Sequence, residues 1–194
     1  MKILVACEYS GVVREAFRSK GHHAVSVDLI PCEHPTIYHI EGDVRRFLDQ
    51  DWDMMVAFPP CTHLATSGAR WFKNKVKEQE DSLKFIELLL SAPINKIALE
   101  NPVGVISTKI RKPDQIIQPY QFGEPYSKKT CLWLKNLPLL SPTKVVDRGE
   151  RHITKSGRSL PKWYNLPPST DRWKIRSRTF QGIADAMADQ WSDS

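Results

Sequence analysis

Asp53-Met54-Met55-Val56-Ala57-Phe58-Pro59-Pro60-Cys61-Thr62 is a short apolar run that breaks at a proline pair and delivers a cysteine. Asp53–Ala57 predicts a buried strand. The prolines, which lack a backbone N–H, cannot continue a central ladder and turn the chain out of it. A second segment has the same form. Lys96-Ile97-Ala98-Leu99-Glu100 predicts a strand, and Asn101-Pro102-Val103-Gly104 a turn. Cys61 and Glu100 therefore both stand at the carboxyl ends of strands, where open α/β sheets bind ligands.

Outward from these segments the pattern alternates. Lys2–Ala6 and Ala24–Asp28 predict strands around a helix at Val12–Lys20 that Gly21 stops. Val44–Gln50 predicts a short helix after Gly42-Asp43. Glu78–Ser91 predicts a longer one, with Leu83, Ile86, Leu89 and Leu90 at helical spacing and Pro93 beyond its end. Gln115–Gln118 and Thr130–Leu134 predict further strands, and Ile183–Trp191 a closing helix. Such βαβα alternation predicts an α/β fold, a mostly parallel sheet with helices on both faces. Asn136–Thr170, rich in Pro, Gly, Ser and basic residues, reads as irregular. With no internal repeat and 194 residues, one domain over 1–194 is expected.

A hydrophobic content of 41% with 26% charged residues is that of a globular protein, and no apolar run approaches the roughly 20 residues of a membrane span. The N-terminus enters a strand without a signal-peptide pattern, so a cytoplasmic location is expected. Cys7, Cys32, Cys61 and Cys131 show no paired spacing and are expected as thiols. Cys32, His34 and His39 depart from zinc-site spacing and read as loop residues, so no metal is expected. The charge is uneven: residues 1–108 hold 12 Lys/Arg against 14 Asp/Glu, residues 109–178 hold 16 against 5. A basic second half suits phosphate backbones, and Trp163, Tyr164 and Trp173 lie among its charges.

Two motifs in order, Pro60-Cys61 and Glu100-Asn101-Pro102, resemble the Pro-Cys and Glu-Asn-Val motifs of the S-adenosylmethionine-dependent DNA (cytosine-5) methyltransferases, in a compact form seen among phage-type methylases. Other segments resemble the same family. Tyr9-Ser10-Gly11 is similar to its Phe-x-Gly-x-Gly loop, although Val13 and Cys7 replace a usual glycine and aspartate. Asp28 and Asp43 stand where acids contact ribose and adenine, and each also reads as a cap of the segment after it. Ser67-Gly68-Ala69-Arg70 resembles the loop that closes on the base. Phe122–Lys129 resembles a Gly-Val-Pro-Gln-x-Arg-x-Arg motif, with Lys128 and Thr130 at the arginine places, and Gln181–Ala188 resembles the last family motif.

The resemblance implies a Rossmann-like methyltransferase fold and S-adenosylmethionine as cofactor, bordered by Tyr9, Ser10, Gly11, Asp28, Asp43 and Pro59. It implies a covalent mechanism: Cys61 adds to carbon 6 of cytosine, Glu100 supports ring nitrogen 3, and carbon 5 becomes the nucleophile. Pro60, Arg70, Asn101 and Lys128 are the implied substrate contacts. DNA is the implied partner, with its cytosine flipped out or single-stranded. Phosphate contacts are expected from Lys128, Lys129, Arg148, Arg151, Lys155 and Arg158, and from Arg176 and Arg178. The ionised thiol needs an electropositive, partly open site. Residues 136–172 stand where the family carries a much larger target-recognition domain, which predicts relaxed or very short sequence specificity. The same chemistry on a deoxycytidine nucleotide or RNA remains an alternative, as does a non-catalytic nucleic-acid-binding protein on this scaffold.

Overall fold

The computed structural model describes residues 1–66, 75–170 and 172–192. Its centre is β1 (Lys2–Ala6), flanked in parallel by β2 (His23–Asp28) and β4 (Met54–Ala57). Beyond β2 lies the short β3 (His39–Glu41), and beyond β4 lies β5 (Lys96–Pro102), both again parallel. β7 (Thr130–Lys135) pairs antiparallel with β5 on one side and with β6 (Gln115–Ile117) on the other. The spatial order is β3-β2-β1-β4-β5-β7-β6. This is a Rossmann-like α/β sheet, as the alternation predicts, with one antiparallel strand inserted near its edge.

The central strands read as unbroken apolar runs because both faces are covered. Alternate side chains divide between two cores. Ile3, Val5, Met54 and Val56 meet α1 (Val12–Ser19) and α5 (Gln181–Trp191) through Val13, Phe17, Met187 and Trp191. Leu4, Ala6, Met55 and Ala57 join Ile97, Leu99 and Trp133 beneath α2 (Val76–Leu90), which contributes Ile86 and Leu89. Each such fully buried aliphatic side chain stabilises the fold by about 1.5–3 kcal/mol. A short α3 (Ile106–Lys109) completes the second face through Ile106.

Several elements differ from the sequence expectation. Asn101 and Pro102, expected in a turn, continue β5 because β7 supplies a second ladder for them, opposite Cys131 and Thr130. Val44–Gln50 forms only a 3-10 turn over Val44–Arg46, with Asp43 accepting the N–H of Arg45 at 3.0 Å. β3 is half-exposed and polar, so no alternation marks it; it forms by pairing with β2. Within the stretch expected as irregular, β8 (Arg151–Ile153) and β9 (Ser159–Pro161) make a hairpin, closed by Gly157 at φ 77° and followed by a 3-10 turn at Lys162–Asn165. Strands of three residues with mostly exposed side chains leave no apolar pattern to read. α4 (Arg172–Ser177) leads into α5. No helix among the described residues is long and apolar enough to cross a membrane.

Trp191 ties the C-terminal helix to the rest of the fold. It is fully buried, and its indole N–H donates to the Pro138 carbonyl at 2.9 Å. Trp191→Ala should lower stability by about 3–5 kcal/mol, read as a lower urea midpoint with an unchanged slope.

Candidate active site

The parallel register of β4 with β5, Ala57 opposite Leu99, brings the loop after β4 and the last residues of β5, which run on to Pro102 against β7, to one edge of the sheet. Three contacts then lock the loops together. The Asn101 amide Nδ2 donates to the Pro59 carbonyl at 2.9 Å, inside the protein. Val105 N–H donates to Leu64 O at 2.9 Å, and Thr66 N–H to Val103 O at 3.1 Å. Gly104 permits the approach, since a Cβ there would lie 2.1 Å from Leu64 O. Within the first loop Cys61 O accepts from Leu64 and Ala65, forming a tight turn. Cys61 and Glu100 are thereby held in one cleft of about 1580 Å³ that runs across the carboxyl ends of β1, β2, β4 and β5.

The electrostatics of this pair oppose one another. Burial, and next the Glu100 charge, raise the Cys61 thiol above its ordinary value, while Lys128 and Arg176 draw it down. Cys61 is exposed by surface area, so desolvation acts on the thiol from the cleft wall. Glu100 is itself raised by burial, with Lys128 again opposing. The site is thus less electropositive towards the free thiol than the sequence reading expects. The two groups titrate together: a proton retained by Glu100 removes the charge that suppresses the thiolate. Lys128 is fixed beside them, donating to Arg176 O at 3.1 Å and lying 5.7 Å from the Trp163 ring centre and 5.8 Å from that of Phe180.

The other end of the cleft is acidic. Glu8, buried just after β1, accepts the N–H groups of Val13 at 2.7 Å and Arg14 at 3.2 Å, so its carboxylate occupies the start of α1. Burial pushes it up to about 7, against those hydrogen bonds. Gly11 turns with φ 75° directly before α1. Asp28 accepts Ile30 N–H at 3.2 Å, and burial raises its carboxyl. Asp43 is a cap: besides the N–H of Arg45, it pairs with the guanidinium of the same residue, which lowers its carboxyl. Asp28 and Asp43 both act on Cys7, whose thiol burial pushes up to about 12, so the acids converge there.

Most expected site residues line this one cleft. Ser10, Pro59, Pro60, Asn101 and Lys128 do so, as do Lys129, Arg158 and Arg176. Tyr9 also lines it, yet its hydroxyl turns away to donate to Lys174 O at 3.0 Å, and its ring lies 5.5 Å from that of Trp173. Ser10 Oγ contacts Glu8 at 3.4 Å, so backbone is what these two offer a ligand. Arg70 and its loop lie outside the described residues. Lys155 is exposed in the hairpin turn, Arg178 pairs with Glu33 at 3.2 Å, and Arg148 and Arg151 line a separate pocket. Cys32 Sγ accepts from Arg14 at 3.4 Å, and His39 bridges Ser26 Oγ and Ile30 O. Sequence reasoning missed Glu8; its one signal is an acid five residues ahead of an amide at a helix start. Trp163, Tyr164 and Trp173, singled out among the basic charges, all line the cleft.

No family model matches the chain, and no curated protein matches it. Among solved structures, a protein encoded within an E. coli prophage and described provisionally as a DNA modification methyltransferase superposes with a TM-score of 0.48 at 14% identity. The match covers 75% of this chain and 51% of that one, so the chain spans about half that protein's length. A likeness of this degree carries no argument about activity.

Iodoacetamide alkylation of Cys61, followed by peptide mass spectrometry against pH, should show a midpoint above that of an ordinary thiol. Glu100→Gln should move the midpoint down and Lys128→Ala should move it up; an unmoved midpoint in Glu100→Gln would show that the two groups are not coupled. Gly104→Ala should cost about 1–3 kcal/mol in thermal or urea unfolding, because the carbonyl of Leu64 must shift.

Proposed function

We propose that the protein is a methyltransferase that moves a methyl group from S-adenosylmethionine to carbon 5 of cytosine in DNA. The observation that supports this reading is the Asn101–Pro59 hydrogen bond, which joins the neighbours of Cys61 and Glu100, two groups that line one cleft with Lys128. That combination suits attack on an electron-poor ring: the thiolate adds, and the acid stabilises charge on the ring nitrogen.

The acidic end of the cleft fits a cationic nucleoside such as S-adenosylmethionine. Asp28, at the tip of β2, would hold ribose hydroxyls, the backbone of Tyr9 and Ser10 would border the amino-acid portion, and Asp43 would face the adenine; Gly11 shapes that turn without lining the cleft. When bound, this cofactor supplies an electrophilic methyl on a positively charged sulfur. Glu8 holds the Tyr9–Gly11 turn in place through the first amides of α1.

In the proposed reaction Cys61 Sγ forms a bond to carbon 6 of the cytosine. Glu100 gives or shares its proton at nitrogen 3, so the electron pair from the opened double bond resides at carbon 5. Carbon 5 takes the methyl from the sulfonium sulfur, which keeps the bonding pair and leaves as a neutral thioether. A base or water removes the carbon-5 proton, that pair re-forms the double bond as Cys61 departs as thiolate, and nitrogen 3 returns its proton to Glu100. Lys128 and Arg176 favour the thiolate at both ends of the cycle. The basic residues of 109–178 meet the phosphates of the strand.

Nucleoside mass spectrometry of DNA incubated with the protein and S-adenosylmethionine tests this reading. It should reveal 5-methylcytosine that disappears with Cys61→Ala, while Glu100→Gln slows formation at least about a hundred-fold, as loss of a general acid does. Methylation at another position, or 5-methylcytosine from folded Cys61→Ala, would overturn the covalent route. Product from dCMP but not from polymer would reassign the substrate.

A further inference from the structure

A second concavity of about 310 Å³ opens between the chain leading into β7 and the β8–β9 hairpin. Lys129, Arg148 and Arg151 line it together with Tyr120, Tyr164 and Ser127, and no acidic side chain is among its described lining residues. The two arginines are held in place. Arg151 donates through Nε to Ser159 Oγ and through Nη2 to Ser159 O, each at 2.8 Å, which fixes the plane of its guanidinium. The Arg148 guanidinium lies 5.3 Å from the centre of the Tyr120 ring, and Ser127 Oγ donates to Arg148 O at 2.6 Å. Gly149 makes the close approach possible: its φ is 80°, and a Cβ would lie 2.0 Å from Pro125 O. The neighbouring Glu150 is paired with Lys162 and leaves the pocket positive.

Lys129 and Tyr164 line this pocket and the catalytic cleft alike. A ligand that ends at one base would fill the cleft and leave the pocket empty. A strand passing through the cleft would place its next phosphate among the three cations and its next sugar or base against a phenol ring. Planar arginines suit a phosphodiester, and aromatic faces hold unstacked bases without regard to sequence. Building on the reaction proposed above, we infer that this pocket is a subsite for the nucleotide next to the reacting base, and that the substrate is a strand with unpaired bases rather than a free nucleotide. Arg148, Arg151 and Lys129 take the phosphate, and Tyr164 takes the neighbouring base or sugar.

Fluorescence anisotropy with a labelled single-stranded DNA hexanucleotide carrying one central cytosine tests the subsite over a series of NaCl concentrations, with circular dichroism melting to verify folding. The Arg148→Ala/Arg151→Ala double variant should bind about ten-fold more weakly, and its slope of log affinity against log salt should flatten by about 0.7 for each phosphate that the protein no longer neutralises. Tyr164→Leu should also weaken binding about ten-fold, with the slope unchanged. A folded double variant that binds with wild-type affinity and slope overturns the subsite, even if DNA is methylated. If wild-type protein makes no 5-methylcytosine while the double variant loses strand binding, the reaction fails and the subsite stands.

Discussion

The hydrogen bond from Asn101 Nδ2 to Pro59 O is the contact on which the site depends. Parallel pairing of β4 and β5 stops at Ala57 and Leu99; β5 runs on to Pro102 against β7, but no ladder fixes the loop that follows β4. The buried amide crosses that gap, and Gly104 lets the backbone of one loop press on the other. Cys61 and Glu100 inherit their mutual position from this junction. A buried donor and its carbonyl are each costly to leave unpaired, so the junction resists opening more than its single bond suggests.

Placing the two groups in one cleft sets up an electrostatic conflict that the surroundings moderate. Burial favours neutral forms of both, and Glu100 as an anion holds the Cys61 proton on. Lys128 opposes both effects, and it is held between the Arg176 carbonyl and two aromatic rings from the C-terminal part of the chain. That arrangement connects the hairpin region and α4 to the chemistry at β4 and β5. At the opposite end Glu8 closes the start of α1 from within, so the turn at Gly11 is held by a carboxylate of the chain itself.

Much of this architecture was legible from local pattern. The runs Ile3–Ala6, Met54–Ala57 and Ile97–Leu99 are apolar throughout because parallel strands are buried on both faces, and that property shows directly in sequence. The proline pair at Pro59-Pro60 marks the end of β4 because proline cannot extend a ladder, whereas Asn101 and Pro102, which read as a turn, stay in β5 by pairing with Cys131 and Thr130 of β7. β3 and the β8–β9 hairpin were not legible, since three-residue strands with exposed side chains carry no periodic signal. Val44–Gln50 looked helical, yet the chain leaves its 3-10 turn at Phe47, where Phe47 and Leu48 are drawn into the core beneath β2 and β4.

The sequence by itself determined the class of fold and placed Cys61 just beyond β4 and Glu100 in the carboxyl half of β5, because periodicity and proline placement act over a few residues. Only the tertiary structure decided that these two groups share a cleft with Lys128 and that Glu8, in the segment between β1 and α1, accepts the first amides of α1. It alone set Asp43 to hold its own turn, and it drew Arg148 and Arg151 into a pocket beside the cleft rather than along it. Such outcomes depend on contacts between residues tens of positions apart, and on the burial those contacts create. Neither quantity exists until the chain has packed.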